Sequence, residues 1–238
     1  APIRGQEIRQ TQRVNFQKIK MGLGRREFLR LSGLALAGLA IDPLKAVAVN
    51  KNYYVNKKFG IILEKPDSWG FIAIKDFGKL FDEQILPDDY FNKDEIHEDL
   101  GDPAFVITKY WQDTPELKEK FSPTISAYIN HKSELGFEPK SFEDVIELSG
   151  RGTGMILKDF ERKEIEGPLL ISGCNTYISK ATYLFEHVEL KNPVRTNLKV
   201  VMIEHNEHYY FINMHDSDQV NENTQKEFDE CIKSIKLI

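Results

Sequence analysis

The chain has 238 residues, of which 41% are hydrophobic and 29% charged, the composition of one or two ordinary globular domains. With 15 Gly, 10 Pro and 2 Cys it is neither fibrous nor a disulfide-stapled scaffold, and it contains no apolar run of about 18 residues that would make a multipass helical membrane protein. The net charge of -5 conceals an asymmetry: residues 1–48 carry nine Lys and Arg against three Asp and Glu, so the first part is +6 and the remainder -11.

Within the basic part, Arg25-Arg26-Glu27-Phe28-Leu29-Arg30 precedes the apolar run Leu31 to Ile41, which is followed by Ala46-Val47-Ala48. A basic region, a short apolar core and a small-residue site, in that order, predict an export leader cleaved after Ala48. The core is too short to span a bilayer, so no stable membrane anchor is expected after cleavage. Arg25, Arg26, Phe28 and Leu29 resemble the twin-arginine translocation signal, with Gly24 where Ser or Thr is commoner and Arg30 in place of Lys. The resemblance implies a bacterial extracytoplasmic location. Residues 1–20 lie upstream of Met21, the conventional start of such a leader, and read as an extension with no fold signal.

Residues 49–238 read as one domain. Phe59 to Glu64 predicts a strand, Lys65-Pro66-Asp67-Ser68-Trp69 a turn, and Phe71 to Ile74 a second strand. Residues 76–102 are acidic, with breakers at Pro87-Asp88-Asp89 and Gly101-Asp102-Pro103, and predict a helix fragment within a long insertion. Ala104 to Trp111 and Thr124 to Asn130 read as half-buried strands. Ser141 caps a helix that ends or bends at Gly150-Arg151-Gly152-Thr153-Gly154. The later segments Pro168–Ser172, Thr176–Val188, Asn197–Glu204 and His208–Met214 predict an antiparallel meander, the last two strands joined by a tight turn at His205-Asn206-Glu207. Finally, Thr224 and Glu227 spell a capping box, and Phe228, Cys231, Ile232 and Ile235 form the apolar stripe of a closing amphipathic helix.

Candidate chemistry is sparse. His205, His208 and His215, with Asp216 and Asp218, are metal-type donors, but strand rise separates His215 from the other two by roughly 20 Å. They are read as polar hairpin residues. Ser149 to Gly154 is glycine-rich like a phosphate loop, yet it follows a helix and lacks the Gly-Lys-Ser/Thr ending, so it reads as a helix-terminating turn. Cys174 and Cys231 are either bridged or free; Cys231 on the apolar stripe favours a buried thiol. Asp67, Trp69 and Trp111, with Tyr128, are weak ligand candidates should they meet at one end of the sheet. No catalytic, cofactor-binding or metal residue is assigned and no cofactor is expected. The acidic mature part argues against nucleic acid as a partner.

The motif Phe59-Gly60-Ile61-x-Leu63-x-x-Pro66-Asp67-Ser68-Trp69, the hairpin Lys199 to His215 and the ending Phe228-x-x-Cys231-Ile232-x-Ser234-Ile235 resemble the PsbP-like family, over most of residues 53–236. The resemblance implies an α+β fold, an α/β/α sandwich around a central antiparallel sheet. It also implies a non-enzymatic binding or assembly role with an extracytoplasmic protein partner. Residues 76–102 and the polar Asp216-Ser217-Asp218 depart from the family pattern. A small extracytoplasmic hydrolase or metal-dependent enzyme, whose site is assembled from distant residues, and a small-ligand carrier with a pocket between sheet and helices remain the alternatives.

Overall fold

The computed structural model describes residues 47–49, 52–86, 101–110, 120–135, 138–219 and 223–238. In chain order these form β1 (Val47–Val49), β2 (Tyr53–Asn56), β3 (Ile61–Glu64), β4 (Gly70–Ile72), α1 (Ile74–Glu83), β5 (Phe105–Thr108) and β6 (Thr124–His131). There follow α2 (Phe142–Ile156), β7 (Lys158–Ile171), β8 (Cys174–Phe185), β9 (Val194–His205), β10 (His208–Ser217), α3 (Thr224–Ser234) and β11 (Lys236–Leu237). The fold is α+β and all strand pairings are antiparallel.

A seven-stranded sheet runs in the order β4-β5-β6-β10-β9-β8-β7, and a four-stranded sheet in the order β1-β2-β3-β11. The last four strands of the large sheet are the meander expected from sequence; β7–β8 and β9–β10 are joined by two-residue turns that need positive φ, and β8–β9 by residues 186–193. Asn206 (φ 51°) and the pair Ser172 and Gly173 (φ 53° and 77°) supply it. β7 begins ten residues before the predicted Pro168.

Both faces of the large sheet are buried along its central strands β6 and β10, whereas the edge strand β7 is largely exposed. Along β10, Tyr209 and Phe211 point to one face and Tyr210, Ile212 and Met214 to the other; along β6, Tyr128 joins the first set and Ile125, Ala127 and Ile129 the second. Phe142, Val145 and Ile146 of α2 cover the first face. The second is covered by Tyr54, Ile61 and Leu63 of the small sheet together with Phe228, Cys231 and Ile232 of α3. That outer layer is therefore a small sheet with one helix, where helices alone were expected. The predicted strand-turn-strand at residues 59–74 divides between the two sheets.

Two local expectations give way to tertiary contacts. Helix α2, capped by Ser141 Oγ accepting from the Asp144 N–H at 3.3 Å, runs through Gly150, Gly152 and Gly154 to Ile156. A Cβ on Gly150 would collide with the Arg162 guanidinium, and one on Gly154 would press on the Phe160 ring at 3.0 Å. These glycines bring helix and β7 close instead of ending the helix. At α3 the capping box does not form: Lys109 Nζ donates to both Thr224 Oγ1 (3.1 Å) and Glu227 Oε2 (2.7 Å). A charge-assisted bond between elements takes the carboxylate that would have closed the cap.

Candidate functional site

The first face of the large sheet is not filled at the end that carries Thr108 of β5, Thr124 of β6, His215 of β10 and Tyr183 of β8. A cleft of about 300 Å³ opens there. Its walls are Ile72, Phe77, Phe121, Leu157, Phe185 and Leu190, and its polar groups include Lys120, Ser122, Thr108, His187, Glu189 and His215. Phe121 and Phe185 meet edge-on at 5.4 Å, and His187 stacks on Phe185 at 5.9 Å. A concave apolar space with a few converging polar groups is the usual form of a small-molecule site.

Each polar group is placed by a backbone element. His215 stands on β10, where its Nδ1 shares a 2.9 Å hydrogen bond with the Tyr183 hydroxyl of β8. Burial pushes the imidazole down to about 4 and the Tyr183 phenol upward, so both are neutral at pH 7. His187 follows β8. It is 7% exposed, its Nδ1 accepts from the Glu189 N–H at 3.2 Å, and its Nε2 makes no hydrogen bond.

The segment after α1 pairs with this stretch. Ile85 N–H donates to Glu186 O at 2.9 Å and Val188 N–H to Glu83 O at 3.2 Å, around a β-bridge between Gln84 and His187. The pairing sets Glu83 Oε2 3.5 Å from His187 Nε2. Donor atoms of Glu83, His187 and Glu189 thereby lie within 4.8 Å of one another.

The residues picked out by sequence do not form one site. Trp69 is buried on the second face, edge-on to Phe228 at 5.8 Å, whereas Tyr128 is in the core of the first face. Asp67 is exposed and accepts from Asn52 Nδ2 at 3.3 Å. Trp111 lies outside the described residues, as do Arg25, Arg26, Phe28, Leu29 and Ala46; Ala48 sits in β1 opposite Val55. His205 and His208 pair across the last turn, while His215 is at the other end of β10. His208 packs against His131 at 5.2 Å, and burial, then the His131 charge, lower its pKa. Asp218 accepts from Asn197 Nδ2, and Asp216 from the Ser217 N–H and Gln225 Nε2, so both carboxylates are engaged in the fold. Ser149 to Gly154 is helix, not a phosphate loop.

Cys174 and Cys231 are unbridged. Sequence reasoning missed the pairing of Cys174 Sγ with His205 Nδ1 at 3.1 Å, made by the facing ends of β8 and β9. It also missed the cleft, because Glu83 and His187 are far apart in the chain. The i, i+2 spacing of His187 and Glu189 was the available signal.

Among the described residues, no helix is long and apolar enough to cross a membrane. No family model matches the chain, and no curated protein matches it. Among solved structures it is similar to a cyanobacterial PsbP from Synechocystis, with 10% identity over 80% of this chain and 95% of that one, TM-score 0.47. It is also similar to LpqN of Mycobacterium tuberculosis, involved in cell envelope biogenesis, with 13% identity over 74% and 82% of the two chains and TM-score 0.41. A Pseudomonas aeruginosa protein of unknown function is 13% identical over 48% and 69%, with TM-score 0.37.

Proposed function

We propose that the chain is an exported, PsbP-like binding protein whose cleft between β4, β8 and the end of α2 takes a small, largely apolar ligand. The cleft carries this reading. Its volume, about 300 Å³, is that of a small-molecule site, and aromatic and aliphatic side chains form its walls. His215, held neutral and bonded to Tyr183, adds a polar mark without a buried charge. A neutral ligand with one hydrogen-bonding group meets both demands.

Export by the twin-arginine route follows from Arg25, Arg26, Phe28 and Leu29, and the PsbP-type sandwich from the motifs around Phe59, Lys199 and Phe228. In this reading the ligand or its carrier state is presented to an extracytoplasmic protein partner. A metal-dependent enzyme is the second reading, favoured by the histidine and two carboxylates at the cleft rim.

Native mass spectrometry of protein taken from the extracytoplasmic fraction, set against its denatured mass, tests the binding reading. The expected result is a mass excess lost on denaturation and missing from an Ile72→Trp variant, whose indole fills the cleft. Equal native and denatured masses, together with no protection of the fold by any apolar probe that enters the cleft, would sink it.

A further inference from the structure

We infer that Glu83, His187 and Glu189 form a binding site for a divalent transition-metal ion at the rim of the cleft. Three independent features converge on it. The donor atoms lie within 4.8 Å of one another, close to the span of ligands held at about 2.0–2.2 Å around one ion. His187 is 7% exposed and its Nε2, facing Glu83 Oε2 at 3.5 Å, has no hydrogen bond. A buried ring nitrogen in that state costs on the order of 1–3 kcal/mol unless something occupies it. Third, neither Glu83 nor Glu189 makes a close ion pair with a lysine or arginine among the described residues, which leaves both carboxylates available to an ion.

The donor set identifies the class of ion. One imidazole and two carboxylates suit Zn²⁺ or Mn²⁺; the nitrogen ligand disfavours Ca²⁺ and Mg²⁺, and the absence of sulfur from the set disfavours Cu(I). An ion on Nε2 requires the ring proton on Nδ1, so binding breaks the 3.2 Å bond from the Glu189 N–H. The Glu189 N–H then needs another acceptor, and the metal–nitrogen bond has to outweigh the loss of that bond. Three protein donors leave at least one position of a four-coordinate ion for water or for a group on a cleft-bound molecule.

This site is independent of the apolar-ligand reading. Metal binding with an empty cleft would leave the inference intact and the ligand proposal unsupported; ligand binding by metal-free protein would do the reverse.

The test is calorimetric titration of the chelator-treated whole protein with ZnCl₂ and with MnCl₂, repeated for His187→Gln and Glu189→Gln. Co²⁺ absorption serves as a second readout. One equivalent of ion is expected, with affinity reduced roughly tenfold or more in each variant, since even outer partners of metal ligands act on that scale. Glu189→Gln alters an exposed side chain and carries the test if His187→Gln unfolds. His208→Gln and Cys174→Ser, at the opposite end of the sheet, should bind as wild type does. No binding, or binding lost with His208 or Cys174 and kept without His187 and Glu189, overturns the assignment.

Discussion

The Tyr183 hydroxyl lies 2.9 Å from Nδ1 of His215, and the two rings meet edge-on at 5.9 Å on the wall of the cleft. Burial lowers the imidazole from 6.5 to about 4. Between those values the unfolded chain binds a proton that the folded chain refuses, so stability falls as pH drops through the window and is complete above it. The loss is up to about 3 kcal/mol by pH 4. Asp216, raised by burial, acts in the opposite sense, so the comparison must be with a variant. His215→Gln should lose less stability between pH 6.5 and 4 in urea titrations. Parallel curves for the two proteins would mean that the ring protonates in the folded state as readily as in water.

Lys109 ties the large sheet to α3. Its ammonium is 2.7 Å from Glu227 Oε2, with side chains only 13% and 21% exposed, and lies over the Trp69 ring at 5.8 Å. Truncation leaves a mostly covered carboxylate without its donor, a cost on the order of 2 kcal/mol. Lys109→Met should therefore destabilise the protein by that amount. In a double-mutant cycle with Glu227→Gln, the coupling should be about 1–2 kcal/mol. Coupling near zero would show the contact to be a screened surface pair.

The reach of sequence reading follows the range of the contacts involved. The β9–β10 hairpin was legible because Asn206 and the alternating strands around it are local signals, and α3 because its apolar stripe is periodic. Where a distant residue competes, local rules lose: Arg162 and Phe160 make helix of a glycine-rich segment that alone would break it, and Lys109 takes Glu227 from its cap. The same holds for the site. Nothing near Glu83 in sequence announces His187; only the pairing of Ile85 with Glu186 and of Val188 with Glu83 brings them together.

The two thiols should differ sharply in reactivity. Cys231 is 3% exposed in α3, and burial pushes it up to about 12. Cys174 is half-buried and 3.1 Å from His205 Nδ1, a base able to accept its proton, although burial raises this thiol as well. In folded protein at pH 8, iodoacetamide should modify Cys174 and leave Cys231 intact. His205→Gln should slow the reaction. Peptide mapping decides it; modification of Cys231 first would contradict the packing of α3.

The proposed export signal and the fold meet at β1. Val47 and Ala48 pair with Asn56 and Val55, so cleavage after Ala48 would leave Val49 alone of this three-residue strand. β1 is an edge of the four-stranded sheet, and β2 and β3 pair without it. Losing two residues removes a few of the β1–β2 backbone bonds, about 1–2 kcal/mol. A chain beginning at Val49 should thus stay folded, only modestly less stable than one beginning at Val47. Intact mass of the secreted form should place its first residue at Val49, and Arg25→Lys with Arg26→Lys should keep the uncleaved chain inside the cell. An export-competent double-lysine variant would exclude the twin-arginine route, whereas a secreted chain that retains Val47 would show that β1 belongs to the mature domain and that the processing site lies upstream.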